Sequence, residues 1–439
     1  MFYTLSLLLF LVVLLQAVLF TAFVKNRNNT ISLSIPVWVM LLWLFKGSID
    51  FSLAESIGVN LRYESELFPV KVDEDYFLAL LSYYLYYFSY MLVCIYYIMS
   101  TKRVPSEISI LSYAKTASKY VLLVCALFVL IYFYYGLTMF REAMGSGLSI
   151  YHYSRFNGSE SKPLMTLASW IAVASGIVGF GISIGKTRSL FLLLVIVIFL
   201  VSAVLGNRHI LLSGMFLYII LFQDNKEYNF KKLVSIASFI TISLTLVMSI
   251  YVVREVNEGD FSNVNIDKVK ESVVNMSSSS EFIYAHMSMY GVLSHDVEPS
   301  FGQSLIFLTS ATLPRFISNS REPDIYTYYI NRVNENPYKG FSIANPTGWY
   351  LNFGVLGLVL GGAILGFLLC LLHRLAYYNS SLSALFFLFV FSFFVSDTVG
   401  FMRSGGPEPL RAVLLIKSVI PALILFFGVR CKLRIFTKR

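Results

Sequence analysis

Apolar runs separated by short polar segments follow one another along most of the chain. A membrane-spanning helix needs about 20 mainly apolar residues. Runs of about this length or somewhat shorter lie at residues 2–24, 33–49, 76–99, 117–140, 164–184, 189–205, 209–223, 233–253, 346–372, 381–400 and 410–429. The pattern predicts an all-α polytopic membrane protein with about 11 transmembrane helices. The first run lacks a basic region before it and an Ala-x-Ala-like end, so we interpret it as a retained helix rather than a cleaved signal.

One long polar segment, residues 254–345, interrupts this pattern. Positive and negative side chains alternate in it with Ser, Asn, His and Tyr, which is typical of a site for a charged, hydroxyl-rich ligand. The alternative is a solvated domain whose charges only maintain solubility. We therefore divide the chain into N-terminal transmembrane helices (1–253, about 8), a large extracytoplasmic loop domain (254–345), and about 3 C-terminal transmembrane helices with a basic cytoplasmic tail (346–439).

The loop domain is predicted to be partly helical. Asn263 or Asn265 can cap a helix that runs to about Met276, and the serines at 277–280 can cap a second helix from Glu281 to Leu293. A third helix is predicted over Gln303–Thr312. The stretch 318–340 is dense in Asn, Pro, Arg and Tyr, and we expect it to form a loop.

Composition supports the membrane interpretation and excludes several kinds of site. Hydrophobic residues make up 57% of the chain and charged residues 13%, with a mean hydropathy of +0.70, whereas soluble chains are roughly one quarter charged. The four cysteines form no Cys-x-x-Cys pair, so neither a disulfide framework nor a zinc site is expected. No Asp-x-Asp pair suited to a divalent ion and no P-loop-like glycine run is present, so we expect no metal and no cofactor.

Lysines and arginines are concentrated in alternate connecting segments, which sets the expected orientation. This set comprises the loops near residues 25–27, 102–119, 186–188, 226–232 and 374 and the tail 430–439. It holds 17 basic and 3 acidic residues, and the rest of the chain holds 17 basic and 22 acidic residues. The imbalance predicts that the set is cytoplasmic and that the N-terminus and the loop domain face outward. The net charge of +9 therefore indicates a cytoplasmic face and no nucleic-acid partner.

Several arginines lie on the predicted outward side, although basic residues are usually concentrated on the cytoplasmic side. Several lie within a few residues of a predicted helix end, at the depth of lipid headgroups. Guanidinium groups stay charged and pair bidentately with phosphate oxygens, so the cluster suits a lipid-linked phosphate or pyrophosphate. Snorkelling to ordinary phospholipid heads is the alternative for any single residue. The candidates for binding a pyrophosphate are Arg208, Arg254, Arg315, Arg403 and Arg411.

Short motifs near the end of the loop domain carry a family resemblance. The chain returns to the membrane through Gly340-Phe341-Ser342, Pro346-Thr347-Gly348 and Tyr350-Leu351-Asn352-Phe353-Gly354, then a glycine-rich helix. With Pro314-Arg315 and the corner Gly206-Asn207-Arg208-His209, this order resembles the oligosaccharide repeat-unit polymerases, the O-antigen polymerase (Wzy) family. Relatives often place an acidic residue just before the motif tyrosine, where this chain has Trp349.

The resemblance implies a glycosyltransferase at the outer face of the bacterial inner membrane, with a fold similar to the metal-independent lipid-sugar transferases and ligases (GT-C-like). It would move a growing glycan from undecaprenyl pyrophosphate onto the non-reducing end of a fresh lipid-linked repeat unit. The implied partners are undecaprenyl-pyrophosphate-linked oligosaccharides as donor and acceptor, membrane lipids, and a polysaccharide chain-length regulator as a further candidate. The arginines would stabilise the leaving pyrophosphate.

The accepting sugar hydroxyl needs a base or an orienting acceptor. The outward candidates are Glu281, His286, His209, Asp397 and Glu408. Glu281 is also explained as a helix-start acid, and a histidine in a Met- and Tyr-rich helix is more often packed than catalytic. An acid such as Asp397 near the end of an apolar helix is costly unless it is paired. Arg403 is its expected partner, and a purely structural ion pair is the alternative to catalysis.

Two other functions remain open at this point. A lipid-linked oligosaccharide flippase would also need outward arginines, but transporters of that kind show internal repeats and charges deep within several helices, and we find no convincing repeat. An O-antigen ligase, which passes the glycan to the lipid A core, shares the donor chemistry and differs in the acceptor. The motifs at 340–354 favour the polymerase.

Overall fold

The computed structural model of the protein describes residues 2–28, 30–47, 49, 52, 71–101, 118–146, 162–205, 208–223, 281–312, 324–333, 343–379 and 383–427. All regular secondary structure in these ranges is helical. We number the α-helices in chain order as α1 Phe2–Asn28, α2 Ile35–Met40, α3 Glu74–Ser100, α4 Ser118–Ser146, α5 Lys162–Ile182, α6 Lys186–Val204, α7 Arg208–Gln223, α8 Glu281–Ser294, α9 Gln303–Thr312, α10 Ile325–Val333, α11 Asn345–Tyr377, α12 Ser383–Ser396, α13 Thr398–Met402 and α14 Pro409–Arg411.

Two of these helices continue in a wider geometry. The chain passes from α2 into π-helical turns over Leu41–Lys46, and from α14 into π-helical turns over Ala412–Val419. The second of these stretches belongs to a longer helical run, Pro409–Phe427. π-Helical turns are rare and often lie at functional sites. The first stretch contains Trp43 and the second contains Lys417, and both residues contact candidate site residues described below.

The prediction of a multi-pass membrane protein is confirmed. Within the part of the chain that the structure describes, six helical runs are long and apolar enough to cross a membrane: Phe2–Asn28, Glu74–Ser100, Lys119–Gly145, Leu164–Ile182, Asn345–Tyr377 and Pro409–Phe427. Shorter apolar helices lie at Ser32–Lys46, Leu212–Phe222 and Ser383–Ser396. The predicted run 233–253 lies outside the described residues, and the total of about 11 spans stays a prediction.

The chain forms two compact units that each combine distant parts of the sequence. The first unit comprises Met1–Val104, Ser277–Leu372 and Thr398–Val413. The second comprises Pro105–Met276, His373–Asp397 and Leu414–Arg439. The predicted division at residues 253 and 345 follows sequence order and stays a prediction.

In the first unit, α3 packs against α1 and α8 and buries a series of tyrosines. The Tyr87 hydroxyl donates to the Val13 carbonyl (3.1 Å), and the Tyr90 hydroxyl donates to the Leu33 carbonyl (2.9 Å). On α11, a Cβ at Gly362 would collide with the Tyr86 carbonyl of α3, so the absence of a side chain lets the two backbones approach. The hydroxyls of these two buried tyrosines are thus satisfied within the unit.

Two cysteines lie where α3 and α11 meet. The Sγ atoms of Cys94 and Cys370 are 3.7 Å apart, and both side chains are buried. Both residues are free thiols, as is Cys125. Cys431 lies outside the described residues.

In the second unit, α5 packs against α4, α6 and α7. Small residues on α5 receive large side chains from its neighbours, since Gly179 faces the Phe191 ring and Gly181 faces the Phe222 ring. On α4, Gly136 lies against Val201 of α6. Glycine at helix crossings lets membrane helices approach closely and pack by van der Waals contact.

Within the predicted loop domain, two helix predictions are confirmed and one loop prediction is wrong. The predicted helices 281–293 and 303–312 correspond to α8 and α9. The stretch 318–340, predicted to be a loop, contains α10. Its start is capped by Asp324, whose Oδ1 accepts hydrogen bonds from the backbone N–H (2.8 Å) and the hydroxyl (2.6 Å) of Thr327. The predicted helix ending near Met276 lies outside the described residues.

Candidate functional site

A break in α11 shapes the candidate site in the first unit. The helix is interrupted at Phe353 (φ −140°, ψ 17°) and Gly354 (φ 59°, ψ −145°). Trp349, before the break, lies against Gly357 and Gly361 after it. Residues 8 and 12 positions apart are about 12 and 18 Å apart along a straight helix, so the first turns must fold back on the rest. We call residues 345–354 the hairpin segment; it carries the Pro-Thr-Gly and Tyr-Leu-Asn-Phe-Gly motifs.

The hairpin segment holds a corner of the chain at residues 403–411. The side-chain amide of Asn345 donates to the carbonyls of Ser404 (3.0 Å) and Gly406 (2.7 Å). The Gly406 N–H donates in return to the Asn345 carbonyl (3.1 Å). Gly348 lies so close to the backbone of Gly405 and Gly406 that a Cβ there would collide with it. Asn345 is fully buried, so these bonds are protected from water and fix the corner to the hairpin.

This corner carries three of the predicted site residues, Arg403, Glu408 and Arg411. Both arginines are half-buried. The Arg403 guanidinium carbon lies 5.7 Å from the centre of the Trp43 ring, a distance at which a cation is attracted to an aromatic face. Arg411 ends the short helix α14 and immediately precedes the π-helical turns. In sequence, Arg403 and Arg411 stand on either side of Glu408 within this corner.

Glu408 is held through one of its two carboxylate oxygens. Its Oε1 accepts hydrogen bonds from the Ser304 hydroxyl (2.8 Å) at the start of α9 and from the Ile325 N–H (2.8 Å) at the start of α10. Among the described residues, none is hydrogen-bonded to Oε2. Burial raises the pKa of Glu408 above its ordinary value, and the bonds from Ile325 and Ser304 oppose that rise. The site thus presents a fixed carboxylate with one open oxygen.

Asn352 connects this carboxylate back to the hairpin segment. Its Oδ1 accepts a hydrogen bond from the Ser304 N–H (3.0 Å), and its amide donates to the Gly348 carbonyl (2.6 Å). Ser304 and Asn352 are fully buried. The contacts form a closed circuit, because Gly348 packs on Gly406, two residues before Glu408.

A group of buried hydroxyls joins the hairpin segment to α3 and α8. The Thr347 hydroxyl lies 3.1 Å from the Tyr83 hydroxyl and 2.9 Å from that of Ser288. Ser288 also accepts a hydrogen bond from the Ala344 N–H (3.1 Å), and the Tyr86 hydroxyl donates to Asn345 Oδ1 (2.9 Å). Sequence reasoning missed these residues, because nothing in the tyrosine-rich pattern of α3 distinguishes Tyr83 or Tyr86 from their neighbours.

Asp397 has a different partner from the expected one. In the second unit its Oδ2 accepts a hydrogen bond and ion pair from the Lys417 Nζ at 2.8 Å, with side-chain exposures of 0% for Asp397 and 16% for Lys417. The prediction that Arg403 pairs with Asp397 is therefore wrong. Lys417 lies in the π-helical turns and its Nζ is 5.3 Å from the centre of the Trp170 ring. A lone lysine in the apolar run 410–429 needs a partner, so the sequence held a signal for this pair.

The remaining predicted residues fall into two groups. Arg208 and His209 begin α7, and Glu281 and His286 lie in α8, but the described part of the structure does not include their side chains. Arg254 and Arg315 lie outside the described residues. Among the described residues, no group of three His, Cys, Asp or Glu side chains could hold a metal ion.

Comparisons with known proteins identify a family. A family model described as "O-antigen polysaccharide polymerase Wzy" matches residues 1–434, essentially the whole chain. No curated protein and no solved structure matches the chain.

Proposed function

Because the chain belongs to the O-antigen polysaccharide polymerase Wzy family, we propose that it lengthens a surface glycan made from lipid-linked repeat units. The growing glycan moves from undecaprenyl pyrophosphate to the non-reducing end of a new undecaprenyl-pyrophosphate-linked unit. The reaction takes place at the periplasmic face of the inner membrane, because the distribution of lysine and arginine predicts that the loop domain lies on that side. A chain-length regulator is a proposed partner.

In this reaction a hydroxyl oxygen of the acceptor sugar attacks the anomeric carbon of the donor glycan. The bond from that carbon to the pyrophosphate oxygen breaks, and the bonding electrons leave with the undecaprenyl pyrophosphate. Arginine side chains that bind the pyrophosphate lower the energy of this charge as it develops. We assign this role to Arg403 and Arg411 in the corner, and to Arg208, Arg254 and Arg315 elsewhere on the outward side.

Glu408 is our preferred acceptor for the proton of the attacking hydroxyl. The observation that carries this assignment is the asymmetric anchoring of its carboxylate, with Oε1 bonded to Ser304 and Ile325 and Oε2 left open. A base must lie within hydrogen-bond reach of the proton it removes, and an oxygen that is not already hydrogen-bonded within the described residues meets that need. Glu281 and His286 stay candidates. The pairing of Asp397 with Lys417 favours a structural role for that residue.

The proposed function is tested with purified protein in lipid nanodiscs supplied with undecaprenyl-pyrophosphate-linked repeat units. We expect a ladder of glycans that lengthen by one repeat unit at a time, without nucleotide sugar. If glycan is instead transferred only to added lipid A core, the protein is a ligase. If neither product forms, but the protein moves lipid-linked units between the leaflets of sealed vesicles, it is a flippase.

The role of Glu408 is tested with Glu408→Gln. The amide carbonyl oxygen of the substituted side chain can still accept both hydrogen bonds that Oε1 accepts, so we expect the corner to keep its structure while the base is lost. The expected fall in polymerisation rate is about 10²- to 10⁴-fold, the usual contribution of a general base. Glu298→Gln is the matched control, because Glu298 is an exposed glutamate of the same unit. A Glu408→Gln variant that polymerises at the wild-type rate would remove the assignment.

A further inference from the structure

We propose that Ser304 and Asn352 are positioning residues of this polymerisation, which turn the Glu408 carboxylate so that its open oxygen meets the acceptor hydroxyl. This inference rests on the proposed function. It assigns a task to the break in α11 that neither the family resemblance nor the catalytic assignment gives it.

Ser304 uses both of its hydrogen-bond donors in this arrangement. Its backbone N–H donates to Asn352 Oδ1 (3.0 Å), and its hydroxyl donates to Glu408 Oε1 (2.8 Å). Ser304 is fully buried, so water does not compete for either bond. The place of the hydroxyl therefore depends on Asn352, although Asn352 has no hydrogen bond to Glu408.

Asn352 is itself held in one orientation. Its amide donates to the Gly348 carbonyl (2.6 Å) while its Oδ1 accepts from Ser304, so reversing the amide would break both bonds at buried atoms. Gly348 packs directly on the backbone of Gly405 and Gly406. The hairpin segment thus sets both the position of the corner and, through Ser304, the rotation of the carboxylate at its end.

These hydrogen bonds decide which oxygen of the Glu408 carboxylate is available to accept a proton. Two donors, the Ser304 hydroxyl and the Ile325 N–H, occupy Oε1. Removing the serine donor leaves a single bond, about which the carboxylate can turn, and it also removes a contact that favours the charged form. A merely structural serine would change stability, but it would not change the pH at which the base becomes protonated.

The experiment measures initial rates of ladder formation across pH 5–9 with the full-length protein in nanodiscs and lipid-linked repeat units. We expect Ser304→Ala to lower kcat about tenfold, the effect of one hydrogen bond of about 1.4 kcal/mol, with little change in KM. We also expect the acid limb of kcat/KM to move to higher pH. Asn352→Ala should move the limb in the same direction, and Ser304→Thr should restore the wild-type profile.

Two further variants distinguish a loss of positioning from a loss of folding. Ser304→Cys keeps the size of the side chain and provides a weaker donor, so its acid limb should lie between those of wild type and Ser304→Ala. Ser310→Ala is the matched control on the same helix, because the Ser310 hydroxyl donates only to the Phe307 carbonyl of α9 (2.9 Å). Its profile should match that of wild type.

The outcomes distinguish a failure of the positioning role from a failure of the proposed function. An active wild type with an inactive Glu408→Gln variant, and an acid limb that stays in place in Ser304→Ala and Ser304→Cys, overturns the positioning role alone. Wild-type activity in Glu408→Gln overturns the role of Glu408 and the positioning role with it. A wild type that forms no ladder overturns the proposed function and therefore also this inference.

Discussion

Lys417 and Asp397 show how an apolar region tolerates charge. Asp397 is completely buried and its Oδ2 lies 2.8 Å from the Lys417 Nζ. Taking two charges out of water is costly, and the attraction between them compensates only when the geometry is good. Removing one partner of such a pair is far more harmful than removing both, since it leaves an isolated buried charge.

We therefore expect Lys417→Met to destabilise the second unit by about 3–5 kcal/mol, the usual cost of breaking a buried pair. The double variant Asp397→Leu with Lys417→Met should recover most of that loss. Thermal unfolding in detergent, followed by circular dichroism, makes the measurement. A Lys417→Met variant that unfolds at the wild-type temperature would contradict this expectation. If the double variant still polymerises, Asp397 has no catalytic part.

Glu408 gives a pH dependence of stability whose sign follows from its surroundings. Burial raises the pKa of Glu408, so folding favours its protonated form. Its contribution to stability is complete below the pKa of an unfolded glutamate, about 4.3, and is lost as pH rises through the raised folded value. Glu408→Gln should therefore be at least as stable as wild type at pH 7.

Paired unfolding curves for wild type and Glu408→Gln between pH 4 and pH 8 check this. The stability difference should shift in favour of the glutamine variant as pH rises through that interval and then level off. A glutamine variant that is markedly less stable than wild type at pH 7 would show that the charged carboxylate stabilises the corner.

Glu408, Arg403 and Arg411 could be predicted as site residues from their type and their position along the chain. The partners of Glu408 were beyond reach, because Ser304 and Ile325 lie 104 and 83 positions away along the chain. No periodicity encodes such a contact. Lys417 is a different case, since a lysine inside an apolar run already requires a partner in its environment.

At the scale of elements, the hairpin segment depends on two glycines for different reasons. Gly354 adopts a backbone conformation, φ 59° and ψ −145°, that is close to a region occupied almost only by glycine. A Cβ there would meet only Pro299, at an ordinary distance of 3.7 Å. Gly348 has no positive φ, but a Cβ added at this position would collide with the backbone of Gly406.

Alanine at either position should therefore destabilise the protein. Gly354→Ala should cost about 1–3 kcal/mol through backbone strain, and Gly348→Ala should displace the corner and reduce polymerisation as well. Gly145→Ala is the matched control, because a Cβ at Gly145 in α4 meets nothing within 4 Å and alanine favours a helix. It should match or exceed wild-type stability. Thermal unfolding and the ladder assay together distinguish strain from displacement.

Helix prediction in the loop domain succeeded where capping residues precede apolar residues, as for α8 and α9. It failed for α10, whose Asn, Tyr and Arg content is typical of a loop. The missed signal is the spacing of its buried residues Ile325, Tyr329 and Val333, which recur every fourth position along one helix face. The cap from Asp324 completes the helix start.

For the whole molecule, the distribution of lysine and arginine predicts that the loop domain is periplasmic. A phosphatase reporter fused after Asn334 should be active, and a cytoplasmic fluorescent reporter at the same place should be dark. A fusion after Arg430 should give the opposite pair of results. If the Asn334 fusion reports a cytoplasmic position, the arginines of the corner would face the wrong side for the proposed reaction.

Polymerisation should also continue in the presence of a chelator. Arginine side chains can supply the positive charge that a leaving pyrophosphate requires, and the described residues contain no group of three metal-ligating side chains. We expect the same ladder with and without EDTA at millimolar concentration. Loss of activity with EDTA, reversed by one divalent ion, would contradict the arginine mechanism.

The sequence was enough to predict a membrane protein, because long apolar runs are typical of membrane-spanning helices. It was not enough to predict which segments of the chain pack together in each compact unit. Residues near 80, 290 and 350 belong to one unit, and the residues between 105 and 276 belong to the other. Hydropathy carries no information on which distant helices pack together, so the circuit through Ser304, Asn352 and Glu408 is found only in the folded chain.

The neighbouring thiols of Cys94 and Cys370 offer a way to ask whether the helices α3 and α11 separate during turnover. Their sulfur atoms are 3.7 Å apart and need to approach to about 2.0 Å to form a bond. An apolar oxidant such as iodine would cross-link the two helices through a Cys94–Cys370 disulfide, without any engineered residue. Continued chain growth in the cross-linked enzyme would show that these two helices do not need to separate during the reaction.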